Sequence, residues 1–353
     1  MDILNLLILP GVLAGLLTYL TVPFAIKVAH KYDLIDDPAR HIHPKVIHTY
    51  PIPRGGGLAI WIGLATTAAI FLPPDKHLWG ILLGGTFLIV MGLLDDKYDL
   101  NPYLRLIVQF LVASIPIFAG IGIAFLSNPF GGTIDLSHPQ LVFNLMGEHT
   151  IWILSDAFAL FWIVTLMNFL NMGASGLDGQ ITGTAGIAAL VIGLLSLRLV
   201  GDSTQVPVVI LAGATAGAFF GFLPWHIYPQ KIMPSFGGAT LAGFMLGILS
   251  ILSTTKVGTL MVILAIPLID TGYTIVRRIA AGKMPLWGDR GHLHHRLLDS
   301  GFSKKQVAFF YWGTTALLGI LALNLNTPSK LYTIIGVAVF VGGLLLLLMY
   351  RKK

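Results

Sequence analysis

The chain of 353 residues contains no cysteine and very few charged side chains. Without cysteine, disulfide bonds and thiol chemistry are excluded. Charged residues make up 11% of the chain and hydrophobic residues 55%, whereas soluble domains average about 25% charged and about 45–50% apolar residues. No class of soluble protein fits this balance. The composition therefore predicts a membrane protein, and its forty glycines suit the close packing of helices in lipid.

Long apolar runs follow one another along most of the chain. A membrane-spanning helix needs about 20 mostly apolar residues, and its backbone groups must bond within the segment, which favours helices. We predict eleven such helices, near residues 4–26, 55–73, 78–94, 103–126, 151–170, 181–200, 206–223, 237–253, 257–279, 306–324 and 331–350. The first run lacks the basic start of a signal peptide and is expected to be retained. The predicted fold is an all-α polytopic bundle, a single integral-membrane domain over residues 1–353.

The basic residues predict how this bundle is oriented. Cytoplasmic loops are enriched in lysine and arginine. With the C-terminus inside, every lysine and arginine falls on the inner side except Lys76, Arg198, Lys256 and Lys330. The eleven spans then place the N-terminus outside and the C-terminus in the cytoplasm. Topology thus accounts for most of the net charge of +6 without a nucleic-acid partner, and Lys304 and Lys305 are interpreted as residues that only orient the protein.

Four polar segments fall on the predicted inner side, at residues 36–57, 92–99, 168–180 and 288–302. Each carries side chains that can bind ions or phosphates, and the candidates are Lys45 and His48, then Asp95 and Asp96, then Asn168, Asn171 and Asp178, and finally Asp289, Arg290, His292, His294, His295 and Arg296. Outer loops have fewer carboxylates and histidines. This distribution predicts that the four segments meet in one site.

Some of these residues also have structural interpretations. Carboxylates at a membrane boundary are costly unless water, a metal or a cation meets them, which argues for a partner at Asp95 and Asp96. Asn168 and Asn171 share a helical face and could bond a neighbouring helix instead of a ligand. Asp270 lies inside the ninth predicted span and needs a partner, for which Arg277 or Arg278 is the candidate.

The histidines of the last segment allow a zinc site or an anion site. His292, His294 and His295 do not have the i, i+4 spacing of helical zinc sites, and zinc prefers three or four protein ligands. Arginines beside histidines instead form a dense array of donors, and guanidinium groups match phosphate oxygens. A diphosphate substrate would explain this segment. The Asp and Asn segments would then hold Mg²⁺, which shares its coordination shell with phosphates and water.

The order of several motifs resembles one family of membrane enzymes. The motifs "DDP", "PIPRGGGLAI", "GLLDD", "NFLN", "LDG", "IPLIDT", "RR" and "GDRGHLHHRL" follow one another over residues 30–300. In this order they resemble the polyprenyl-phosphate N-acetylhexosamine-1-phosphate transferases of bacterial cell-envelope synthesis. Among the branches of that family, the chain is most similar to the undecaprenyl-phosphate N-acetylglucosamine-1-phosphate transferases.

The resemblance implies a reaction in which the phosphate of a polyprenol attacks a UDP-sugar, typically UDP-N-acetylglucosamine, and UMP leaves. It implies a multi-pass protein of the bacterial inner membrane with a cytoplasmic active face, membrane lipids around it, and Mg²⁺, with Mn²⁺ as the alternative ion. By resemblance, Asp95, Asp96 and Asp178 would be catalytic and, with Asn171, would bind the metal. The histidines and Arg296 would hold the phosphates, with help from Lys45.

Two positions depart from the family pattern and keep other functions open. Ser175 stands where a first aspartate of the third segment is usual, and Phe236 stands where a metal-binding aspartate is usual. A homologue that binds nucleotide sugar or lipid phosphate without catalysis is therefore the main alternative. A transporter is a second one, although no inverted repeat is visible. The glycine face formed by Gly213, Gly217 and Gly221 could pack within the bundle or build a homodimer.

Overall fold

The fold is known from a computed structural model, which describes residues 3–39, 47–144, 148–253, 256–284 and 290–350. Helices dominate these residues, as the sequence predicts. A π-helical turn at Leu4–Ile8 precedes the helices α1 (Leu9–Lys31), α2 (Gly57–Phe71), α3 (Lys76–Tyr98), α4 (Pro102–Phe118), α5 (Ile153–Gly173), α6 (Gln180–Leu197), α7 (Gln205–His226), α8 (Ser235–Leu252), α9 (Lys256–Ile263), α10 (Ala265–Ala280), α11 (Leu293–Asp299), α12 (Lys304–Ala322) and α13 (Thr327–Tyr350).

Within the described residues, three antiparallel pairs of short strands lie in the connections between helices. They are β1 (Ile35–Asp36) with β2 (Ile52–Pro53), β3 (Phe125–Ser127) with β4 (Thr133–Asp135), and β5 (Gln140–Asn144) with β6 (Glu148–Trp152). Ile35 lies opposite Pro53, and Asp36 lies opposite Ile52. The first pair therefore closes the long loop between α1 and α2 and brings Asp36 close to the residues that lead into α2.

Seven helices of the described residues are long and apolar enough to cross a membrane. They are the helix over Leu4–Lys31, α3, α5, α6, α7, α8 and α13, and the bent pair α9 and α10 forms an eighth span if it is counted as one. The helices α2 and α4 are apolar but have only 15 and 17 residues. The chain is therefore a polytopic helical membrane protein, while the predicted count of eleven spans and the sides of the two termini are not confirmed.

The ninth predicted span is a broken helix, not a continuous one. The axes of α9 and α10 meet at 86°. Pro267 lies in the first turn of α10 and has no N–H group to donate to Ile263, four residues earlier, and its ring crowds that carbonyl group. The prediction of one continuous helix over 257–279 is therefore wrong, although Pro267 marks the break in the sequence.

The glycine face on α7 packs against α1 of the same chain. A Cβ atom added to Gly217 would collide with the carbonyl oxygen of Gly11, and one added to Gly221 would collide with that of Gly15. Backbones this close exclude any larger residue. The structure therefore supports the interpretation in which this face packs within the bundle.

A second close approach positions the polar end of α3. A Cβ atom added to Gly92 would lie 2.5 Å from the Cα atom of Gly237, so α3 and the start of α8 are in backbone contact. Asp95 and Asp96 follow Gly92 by one helical turn. They consequently lie beside Ser235 and Phe236, the first residues of α8.

Candidate functional site: a polar cavity at one end of the bundle

A cavity of about 740 Å³ lies among the polar segments. Its lining includes residues of all four segments and of the connections beside them: Asp36, His48 and Arg54; Asp95, Asp96, Asp99 and Arg105; Asn168, Asn171, Ser175 and Asp178; Gln230, Ser235 and Phe236; and Arg278, His292, His294 and His295. Segments far apart in the sequence thus meet around one space, which is the arrangement that the sequence predicts.

The aspartate pair at the end of α3 has two different environments. Asp95 accepts a hydrogen bond from Arg105 at 3.2 Å and one from the backbone N–H of Leu100 at 3.2 Å. Asp96 is also buried, and its Oδ2 atom has no hydrogen-bond partner among the described residues. A buried carboxylate oxygen without a partner is costly. Asp95 is therefore neutralised within the protein, whereas Asp96 is left with an oxygen that a ligand can use.

The third segment combines one structural asparagine with groups that face the cavity. Asn168 donates hydrogen bonds to Gln109 on α4, at 2.7 Å, and to the carbonyl group of Val164, at 2.8 Å. This is the bond to a neighbouring helix that the sequence leaves open as an alternative to ligand binding. Asn171 lines the cavity, and its backbone carbonyl oxygen accepts a hydrogen bond from the hydroxyl group of Ser175.

Asp178 lies at the centre of a chain of polar contacts. Its Oδ1 atom accepts a hydrogen bond from Gln230 at 3.2 Å and is 3.6 Å from Nζ of Lys304. Its Oδ2 atom is buried and has no hydrogen-bond partner within the described part of the chain. Tyr50 donates to the carbonyl group of Gln230 at 3.1 Å, and burial together with the charge of Asp178 raises the pKa of Tyr50. Asp178, like Asp96, offers one oxygen to a ligand.

Lys304 is more than a residue that orients the protein. Ser303 and Gln306 form a capping box at the start of α12, which fixes the direction of the first turn. Lys304 in that turn lies 5.0 Å from the ring centroid of Tyr228 and also contacts Asp178. The topological interpretation of Lys304 is thus wrong, whereas the exposed Lys305 still fits it.

The histidine segment is held by Asp270. His292 Nδ1 is 3.0 Å from Asp270 Oδ2, and the N–H of Leu293 donates to Asp270 Oδ1 at 2.8 Å. A carboxylate only accepts, so Nδ1 carries the proton, and the other ring nitrogen accepts from Arg278 at 3.4 Å. The partner of Asp270 is therefore His292 and not, as the sequence predicts, one of the two arginines of α10.

His294 stacks on His292, and His295 packs against His294 with its ring tilted by 50°. The rings of His292 and His294 are parallel within 5° with centroids 5.5 Å apart, and the centroids of His294 and His295 are 4.3 Å apart. A Cβ atom at Gly176 would collide with the ring of His294. The glycine of the third segment thus allows the histidine of the fourth segment to reach the cavity.

Not every predicted site residue lies at the cavity. Arg290 pairs with Asp299 at 3.0 Å, and Arg296 donates to the carbonyl groups of Gly291, at 3.0 Å, and Leu345, at 3.4 Å. Neither arginine is part of the cavity lining. Lys45 and Asp289, like His41 and His43, lie outside the described residues.

Three cavity arginines are not among the predicted site residues. Arg54 lies 3.4 Å from Asp36, which is also 3.9 Å from His48. Arg105 reaches Asp95 across the tight turn between α3 and α4, where Asp99 has a positive φ of 45°. Arg278 contacts His292. The sequence gives no spacing signal for these contacts, because each depends on how a turn or a broken helix returns the chain to the site.

Comparison with known proteins gives the family. The family model described as "Glycosyl transferase family 4" matches residues 78–254, which is half of the chain. The chain belongs to this family. The matched residues contain two of the four polar segments, and they include Asp95, Asp96, Asp178 and Phe236.

Curated relatives in this family match over most of their length. A "Probable undecaprenyl-phosphate N-acetylglucosaminyl 1-phosphate transferase" of Bacillus subtilis is 29% identical over 327 residues, which is 90% of this chain and 84% of the relative. A "Decaprenyl-phosphate N-acetylglucosaminephosphotransferase" of Mycolicibacterium smegmatis is 28% identical, with 95% and 86% covered. An "Undecaprenyl-phosphate alpha-N-acetylglucosaminyl 1-phosphate transferase" of Escherichia coli K12 is 28% identical, with 87% and 81% covered.

The expected divalent metal can be tested against the donor groups of the cavity. Asp96 and Asp178 each have one buried carboxylate oxygen without a hydrogen-bond partner in the described chain. Among the described residues, no three Asp, Glu or His side chains are grouped as ligands of one ion. Mg²⁺ is usually held by one or two carboxylates together with waters and substrate phosphates. The residues therefore fit an ion that shares its shell with a phosphate ligand.

Proposed function

We propose that this chain transfers N-acetylglucosamine 1-phosphate from a UDP-sugar to a polyprenyl phosphate at the cytoplasmic face of the bacterial inner membrane. An oxygen of the lipid phosphate attacks the β-phosphorus of the UDP-sugar, the bond from that phosphorus to the bridging oxygen breaks, and UMP leaves with this oxygen. A lipid-linked sugar diphosphate remains in the membrane. The observation that carries the proposal is the convergence of Asp96, Asp178, Arg278 and His294 around one cavity.

The cavity supplies the two things that phosphoryl transfer requires, which are positioning and neutralisation of charge. Guanidinium groups of Arg54 and Arg278 face the same space as His294 and His295, and they can donate to phosphate oxygens. A lipid monophosphate still holds a proton on part of its molecules near pH 7, since its second pKa is about 6. The dianion, whose proton has gone to water, is the form of the lipid phosphate that attacks.

A Mg²⁺ or Mn²⁺ ion held by Asp96, Asp178 and Asn171 would neutralise the charge that develops on the leaving diphosphate. Lys304 keeps Asp178 in place at the edge of the site. Gln230 donates a hydrogen bond to the same oxygen of Asp178, and Oδ2 has no partner within the described part of the chain.

The relatives named above are all described as transferases, so they give no support to a homologue that binds without catalysis. The decisive assay incubates membranes containing the chain with radiolabelled UDP-N-acetylglucosamine and undecaprenyl phosphate. We expect a labelled lipid that releases its sugar phosphate on mild acid treatment. Asp96→Asn should abolish the product, whereas the control Asp202→Asn, in an exposed loop, should not. If no UDP-sugar gives a lipid product with either ion, the proposal is wrong.

A further inference from the structure

Arg105 is placed between an aspartate and an aromatic ring. Its guanidinium group lies 3.2 Å from Asp95, and its central carbon is 5.5 Å from the ring centroid of Phe236. Asp95 and Phe236 are both buried. The face of an aromatic ring attracts a cation, so Phe236 holds Arg105 against Asp95. Asp95 therefore carries its own counter-charge before any ligand enters the cavity.

The protein alone supplies few ligands for a divalent ion. Asp95 is bound to Arg105, whereas Asp96 and Asp178 each keep one buried carboxylate oxygen without a hydrogen-bond partner among the described residues. Phe236 contributes a hydrocarbon ring at a position of the lining where a carboxylate could complete a cluster. Mg²⁺ demands six oxygens in near-octahedral geometry. Two carboxylate oxygens leave most of this shell to other molecules.

The charged side chains of the cavity also do not favour binding of a diphosphate without a cation. Among the described residues, five aspartates line the cavity, namely Asp36, Asp95, Asp96, Asp99 and Asp178. The fixed cations are Arg54, Arg105 and Arg278, joined by Lys304 at Asp178. Arg54, Arg105 and Lys304 already lie against Asp36, Asp95 and Asp178. A diphosphate that enters without a cation therefore finds little positive charge that is not already paired.

We propose that the divalent ion enters this site together with the nucleoside diphosphate, because Arg105, held by Phe236, occupies the place beside Asp95 where the ion would otherwise bind first. The inference rests on the proposed function in taking a UDP-sugar as the ligand. Asp96 and Asp178 would hold the ion together with phosphate oxygens, and the ion would supply positive charge for the diphosphate.

Binding of Mn²⁺, followed by electron paramagnetic resonance, tests this order. The purified chain in lipid nanodiscs is titrated with Mn²⁺ alone, with Mn²⁺ and UDP-N-acetylglucosamine, and with Mn²⁺ and UMP. Empty nanodiscs with the same ligands give the signal of the complexes in solution. We expect protein-bound Mn²⁺ only with the diphosphate, and we expect EDTA to weaken binding of the labelled UDP-sugar at least tenfold.

Substitutions at Phe236 and Arg105 should allow the site to bind Mn²⁺ without a nucleotide. Phe236→Asp adds a carboxylate and removes the ring, so Mn²⁺ should bind without nucleotide, about tenfold tighter than to the parent chain, since ligand charge count sets the affinity. Phe236→Leu removes the ring without adding a ligand and is the matched control. It should gain less Mn²⁺ affinity than Phe236→Asp, because Arg105 is loosened but no carboxylate is added. Arg105→Met frees Asp95 and provides a second route to the same gain if Phe236→Asp does not fold.

Two results would overturn the inference. One is binding of Mn²⁺ alone to the parent chain as tightly as to Phe236→Asp. The other is binding of the UDP-sugar that EDTA does not change. Both measurements are independent of transfer. A chain that binds ion and diphosphate together but makes no lipid product would contradict the proposed function and leave the binding order intact.

Discussion

Asp270 and His292 lie 22 residues apart in the sequence and are joined by a 3.0 Å contact in the buried interior. Asp270 belongs to α10, and His292 directly precedes α11. The contact ties the helix that follows the break at Leu264 to the histidine segment of the cavity. The broken span therefore has a role in building the site, because it brings His292 and Arg278 to the cavity lining.

The first prediction concerns this contact. His292→Ala removes one of the two hydrogen bonds to the buried Asp270, which keeps only the bond from the N–H of Leu293. Leaving a buried acceptor oxygen unpaired costs about 1–3 kcal/mol. We expect a clear loss of thermal stability, measured by the temperature at which the protein aggregates in detergent. His292→Asn keeps an N–H donor for Asp270 and should recover at least half of the loss. Equal losses in the two variants would show that Asp270 does not depend on this bond.

Much of the helical framework is predictable from the sequence, since each long apolar run overlaps a helix. The break between α9 and α10 escapes this reasoning because hydropathy alone cannot distinguish one bent span from a straight one, although Pro267 marks the position. The membrane sides of the helices stay a prediction, which rests on the distribution of the basic residues.

The sequence predicts which segments form the site, but it does not predict which side chains pair within it. The polar segments meet because charged and polar side chains are costly in contact with lipid. Which cation pairs with which carboxylate depends on the geometry of turns, as Arg105 and Asp95 show. The role of Lys304 is hidden for the same reason, since a lysine at a helix start looks identical in the sequence whether or not a carboxylate lies opposite.

The second prediction uses the adjacent lysines of α12. Lys304 contacts Asp178 and Tyr228, whereas Lys305 is exposed. Lys304→Met removes the cation that positions Asp178 and should raise the KM for the UDP-sugar about tenfold, equivalent to about 1.4 kcal/mol. Lys305→Met changes the net charge equally and should leave KM within about twofold, since exposed charges contribute little. Similar effects of both substitutions would indicate a general influence of surface charge.

The third prediction separates two residues that the sequence assigns the same phosphate-binding role. His294 lines the cavity, so His294→Ala should weaken binding of the UDP-sugar while the melting temperature changes little. Arg296 donates to the carbonyl groups of Gly291 and Leu345. Arg296→Ala should lower the melting temperature through the loss of these bonds, each about 1 kcal/mol or more. A selective loss of nucleotide affinity in Arg296→Ala would instead support a phosphate-binding role for this arginine.

The fourth prediction tests the contact between the third and fourth polar segments. Gly176 faces the ring of His294, and a Cβ atom there would occupy the space of that ring. Gly176→Ala adds only a methyl group, but it should push His294 out of its stack with His292 and reduce the affinity for the nucleotide. Gly272→Ala is the matched control, because a Cβ atom at Gly272, within α10, meets no atom within 4 Å.

The control should be neutral or slightly stabilising, since alanine favours a helix over glycine by about 1 kcal/mol. Nucleotide affinity is measured by equilibrium binding of labelled UDP-N-acetylglucosamine, and the histidine environment by nitrogen-15 chemical shifts of the imidazole rings. In Gly176→Ala the shifts of His294 and its stacked neighbour should move together, while those of His226 stay in place because its ring lies against Thr182 and Phe222. Unchanged imidazole shifts with lower affinity would mean that Gly176 contacts the nucleotide itself and that His294 does not depend on this glycine to reach the cavity.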